Sequence, residues 1–186
     1  MLPRRLARAM ALASMAALLG SGLVVAKAGP LSDELTAVRA AVARYHDYDQ
    51  AVRDGYSLAG EPCIASPAGA MGFHAVNIPL LASGANDALQ PPILLYAPKG
   101  GRFELIGVEY WHIALANTPN GPAPWFDATP PPDGFFTPEQ SIFGQTFEGP
   151  MAGHNPQMPW HYDKHVWVVE QNPAGTFAQF NPAVSC

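Results

Sequence analysis

The chain has 186 residues, nearly half of them hydrophobic and only 13% charged, with a formal net charge of −5. It carries no basic run or patch, which excludes nucleic acid and anionic lipid surfaces as partners. There is also no phosphate-cradling loop, dinucleotide fingerprint or G-x-S-x-G elbow, so the chemistries that depend on them are set aside.

Residues 1–28 read as a cleaved signal peptide. "MLPRRLAR" supplies three arginines, "AMALASMAALLGSGLVV" is an apolar run, and "AKA" places small residues for cleavage after Ala28. The alternative is a retained anchor, but a run of about 17 residues is short for a bilayer span. Cleavage removes Arg4, Arg5, Arg8 and Lys27. Six basic residues then face fifteen acidic ones, a formal charge of −9, in a single domain of residues 29–186. The expectation is an exported protein, periplasmic or extracellular, with no stable membrane anchor after cleavage.

Two cysteines remain, Cys63 and Cys186. In an oxidising compartment they allow one intramolecular pairing, and a disulfide is expected. By the loop-entropy argument a loop this long gives roughly 4–5 kcal/mol at most. Free thiols and thiolate metal ligation are the alternatives.

"LSDELTAVRAAVARYHDYDQAVRDG" reads as one helix. Ser32 is placed as its N-cap, Asp33 and Glu34 suit its first turn, and Gly55 stops it. Leu35, Val38, Val42, Tyr45 and Val52 form the apolar stripe, with Asp49 a weak link. His46 falls off that stripe, as a solvated residue. A Gly- and Pro-rich loop follows, and the period then changes from 3.6 to 2. "MGFHAVNI" and "PILLYAP" read as strands, and "KGG" turns the chain into a long returning strand, "RFELIGVEYWHIAL". Residues 117–133 hold six prolines and form a long loop, either a lid or a surface wrap. "TPEQSIFG" suggests a helical turn capped by Thr137, and "HVWVVEQ" a last strand. The fold class is α+β, an N-terminal helix packed on a curved antiparallel sheet of about four strands.

Strict alternation in the long strand puts Phe103, Leu105, Gly107, Glu109, Trp111 and Ile113 on one face. Glu109 is then a carboxylate among apolar neighbours and needs a cation, a metal or several donors, unless it meets water. His112 belongs to the opposite face and is read as structural. His74 alternates with Gly72, a residue that admits close approach.

Three of the six histidines lie in "GPMAGHNPQMPWHYDKHVW". His161 and His165 are four apart, too distant on a strand to share one ion but close on a helical turn. Pro159 suits the start of such a turn, and His154 lies in a loop able to fold back over both. Imidazole binds zinc, copper and iron, while thioether sulfur favours copper(I), which brings in Met151 and Met158. Each methionine alone also suits gap-filling.

"YHDYDQAVRDGY", "CIASPAGAMGFHAVN", "PPILLYAPKGGRFELIGVEY", "FEGPMAGHNPQMPWHYDKHVW" and "NPAGTFAQFNPAVSC" together resemble a family of exported bacterial proteins with no assigned activity. The resemblance spans nearly the whole mature chain and implies kinship without a reaction. By it, His74, Glu109, His154, His161 and His165 lie in recurring blocks, while His46 and His112 are peripheral. Such proteins often have leucine where this chain has Lys164.

The expected function is transition-metal binding, with copper, zinc and iron not distinguished. The candidate ligands are His74, Glu109, His161 and His165, with His154 and Met158 auxiliary and the Pro-rich loop as a cover. A second reading makes the pocket an enzyme site for a small organic molecule, with Glu109 as acid or base or with metal-bound water. A third makes the protein a metal-free binding or structural module of the envelope.

Overall fold

The computed structural model describes residues 30–186 apart from Ala59 and Glu61. The leader read over residues 1–28 lies outside the described residues. The fold is α+β and mostly sheet.

The expected single helix is broken into three pieces: α1 (Pro30–Val42), a 3-10 turn (Ala43–His46) and α2 (Tyr48–Arg53). The break falls at Asp47, whose backbone is extended and whose carboxylate accepts from the Asp49 amide, capping α2. The new helix is rotated, so Ala51 is buried and Val52 lies exposed. The left-handed Gly55 follows (φ +94°).

The main sheet has seven antiparallel strands, not about four. β1 (Ser57–Leu58) and β2 (Ile64–Ser66) both pair with β3 (Gly69–Val76). Next come β4 (Ile93–Lys99), β5 (Arg102–Ile113), β11 (His161–Val166) and, at the far edge, β10 (Glu148–Met151). The extra strands are two to four residues long, too short to show periodicity. A short helix, α3 (Ile78–Ser83), follows β3 and is capped by Asn77, which accepts from the Leu80 amide. Two small ribbons lie outside the sheet: β6 (Leu115–Ala116) with β7 (Ala123–Pro124), and β8 (Ser141–Ile142) with β9 (Gln145–Thr146). The helical turn expected at Thr137 does not form. Its hydroxyl instead accepts from the Leu115 amide and donates to the Ile113 carbonyl.

β4 and β5 form the expected hairpin, turning at Gly100 and Gly101, both at positive φ as a tight turn requires. Alternation along β5 breaks once. Leu95 pairs with Gly107 but Tyr96 pairs with Leu105, leaving Ile106 as a bulge. Phe103 and Leu105 therefore pack on the helix side rather than with Glu109, and Ile106 joins the opposite core.

The register defines the two faces. Ala75, Leu94, Val108 and Val166 make one cross-strand row, packed with Val38, Val42 and Tyr45 of the helical segment. The adjacent row on the other face is Val76, Ile93, Glu109 and His165. That second face is covered by the loop before β11 and by the C-terminal segment. The segment pairs Asn181 with Ala70 through both backbone bonds and ends in the expected Cys63–Cys186 disulfide.

Candidate metal centre

Strand order brings the site together. Glu109 sits mid-strand on β5, and His165 is its direct partner on β11. His74 comes from β3, two strands away on the other side, and shares their face one row along, opposite Leu95. Gly107 lies in that same row and leaves the space between strands free of a side chain. His74 Nε2 lies 3.1 Å from Glu109 Oε2, and His165 Nε2 lies 3.6 Å from the same oxygen. One donor atom from each residue falls within 4.8 Å of the others, and all three side chains are buried. Donors each about 2.1 Å from one ion stand about 3–4 Å apart, so the spacing suits a shared metal. Two imidazoles and one carboxylate form the donor set used for non-haem iron and also accepted by zinc and copper.

His154, His161 and Met158 lie outside this group of three. β11 begins at His161, so the helical turn drawn from "PWHYD" is absent and the two β11 histidines sit one strand-length apart on one face. The strand wins because the Trp160 amide donates to Trp125 and its carbonyl accepts from Ala114, which draws the chain out straight. Between the two histidines, on the same face, stands Asp163. It was missed in the sequence because a turn hides what a period-two reading of "HYDKH" shows, three polar side chains facing one way.

His154 does fold back. Its ring lies 6.1 Å from that of His74 and 5.9 Å from that of His161. The loop that carries it closes tightly at Gly153, where a Cβ would come within 2.0 Å of the Met158 carbonyl. The cover over the site is this loop, whereas the Pro-rich segment 117–133 packs on Trp160, with Trp160 Nε1 donating to the Asp127 carbonyl. Met158 packs with the apolar side chains of this face, the gap-filling role. His112 lies on the opposite face against Phe147, and His46 is exposed, as expected of both.

The electrostatics follow from burial and neighbours. Burial alone would push His165 down, but the charges of Glu109 and Asp163 outweigh it and hold the imidazole above its ordinary value. Burial likewise opposes the charge on Asp163, yet His165 and His161 hold that carboxyl well below the usual range. His154 is pushed down to about 4, by burial first and then by His74 and His161. Lys164 is buried and points to the helix side, where its ammonium donates to Glu148.

No family profile matches the chain, and no curated protein or solved structure matches it.

Proposed function

We propose that the protein binds one transition-metal ion through His74, Glu109 and His165, as an exported protein of the bacterial cell envelope or its surroundings. The observation that carries this reading is the meeting of three buried donors from three strands within 4.8 Å. Three polar groups brought out of water at one point are costly unless something cationic unites them. Export is supported by the disulfide, which suits an oxidising compartment, and by the leader-like N-terminus. Among the described residues no helix is long and apolar enough to cross a membrane. Kinship with the resembled exported family rests on the sequence blocks alone.

Elemental analysis of untagged protein tests the metal reading. At least one equivalent of zinc, copper or iron is expected, and its addition to stripped protein raises the melting temperature. No bound metal and an unchanged melting temperature would end it.

One observation favours a catalytic version. A cavity of about 450 Å³ opens on His74, walled by Val76, Ile93, Trp111 and Met158, with Asn155 and Gln157 also lining it. A small, largely apolar molecule in that cavity would lie beside the ion. In an enzyme Glu109→Gln retains some metal and loses rate, while in a binding protein it mainly loses affinity.

A further inference from the structure

A second set of donors lies beside the first on the same strand face. Asp163 is wholly buried, as are His161 and His165 on either side of it. Its Oδ2 stands 3.7 Å from His161 Nε2, and its Oδ1 stands 3.6 Å from His165 Nδ1. Both gaps are too long for hydrogen bonds. Among the described residues neither Asp163 oxygen has a hydrogen-bond partner, and neither does His161 Nε2. A buried carboxylate left without donors is unstable unless a cation offsets its charge. The adjacent Lys164 faces the other side of the sheet and pairs with Glu148, which leaves His165, shared with Glu109, as the near protein partner.

The far side of the His161 ring decides what faces Asp163. His161 Nδ1 lies 3.1 Å from the Pro159 carbonyl oxygen. A carbonyl only accepts, so Nδ1 carries the proton and, in the neutral ring, Nε2 presents a lone pair. In the neutral ring that lone pair would meet a carboxylate oxygen, acceptor against acceptor, whereas a protonated ring would pair with it. An ion between them turns the repulsion into two bonds, and 3.7 Å is an ordinary gap for donors each about 2.1 Å from a shared metal. His154 overhangs this pair from its loop, although among the described residues the three do not bring one donor atom each within 4.8 Å of one another. Its ring stands 5.9 Å from that of His161, so a small shift of the loop brings it to the pair. Its Nδ1 is buried without a hydrogen bond.

We propose that His161, Asp163 and His154 form a second transition-metal position beside the His74–Glu109–His165 centre, so that the protein holds a pair of ions. His165 stands between the two, with Nε2 3.6 Å from Glu109 and Nδ1 3.6 Å from Asp163. The His154 loop closes over the pair when the second ion enters.

Zinc titration of stripped, untagged full-length protein by calorimetry tests this, with cobalt(II) absorption as a parallel reading. Two equivalents are expected in the wild type, one in His161→Ala, and a second-ion affinity weakened at least tenfold in His154→Ala. Saturation of the wild type at one equivalent that survives in His161→Ala would overturn the second position and leave the first intact. The plain alternative, a protonated His161 paired with Asp163, gives that result. Binding of no ion at all would overturn both. The wild-type stoichiometry needs no variant, and His161→Gln replaces His161→Ala if the latter does not fold.

Discussion

The two faces of the central sheet are built from neighbouring rows of the same strands, yet they obey different rules. On the helix face, Ala75, Leu94, Val108 and Val166 meet Val38 and Val42 in an apolar core. Burial of each valine or leucine there stabilises the fold by about 1.5–3 kcal/mol at most, without direction or chemical specificity. One row away, Glu109, Asp163 and three buried histidines occupy positions equally sealed from water. There burial opposes folding, and the groups persist because they compensate one another or share an ion. A sheet can thus carry its stability on one side and its chemistry on the other, and each side can be damaged separately.

The largest expected effect concerns the cover over the polar face. The Cys63–Cys186 bond pins the C-terminal segment there, closing a loop across 123 positions. Cys63→Ser with Cys186→Ser should cost up to about 4–5 kcal/mol in denaturant unfolding. Loss of under about 1 kcal/mol would mean that the segment holds itself in place. Next, Leu94→Ala on the helix face should cost about 2–5 kcal/mol while leaving metal stoichiometry unchanged. A fall in stoichiometry would show that the faces are not separable.

Glu109→Gln probes the other side. Zinc at one hundred times its dissociation constant adds about 2.7 kcal/mol to the stability of the wild type. Thermal melts of the variant should lose that gain, whereas an undiminished gain would remove Glu109 from the ligand set.

The smallest effect is one of pH, read on metal-free protein. His154 titrates near 4 in the fold against about 6.5 in the unfolded chain. Below about 6.5 the unfolded state binds the extra proton, so this contribution is present above that pH and is lost as pH falls toward 4. His165, whose folded value is raised, contributes with the opposite sign, helping at low pH and fading as pH rises through its folded value. His154→Gln should therefore flatten the loss of stability between about pH 6.5 and 4 relative to wild type. Parallel curves for the two proteins would show that His154 is solvated, not buried.

Much of the local structure was legible because it depends on near neighbours. Val38, Val42 and Tyr45 mark the buried side of the helical segment by spacing alone, and Gly100 and Gly101 mark the hairpin. Two cysteines leave one intramolecular pairing, and that pairing is present. Glu109 was legible as a carboxylate among apolar neighbours because its alternation with Gly107 and Trp111 survives beyond the bulge.

Distant pairing decided the rest. Nothing near Ile106 in the sequence marks a bulge, since it arises from the register of β4 against β5. Near His161 only the alternation in "HYDKH" hints at a strand, and the chain there is drawn straight by Trp125, Ala114 and the β5 ladder. The sequence by itself determined which side chains could bind a metal and which positions alternate. Only the tertiary structure decided that His74 and His165 meet at Glu109, and that Asp163 stands beside them. Strand order and register are set by contacts between segments far apart in the chain, and short-range periodicity carries no record of them.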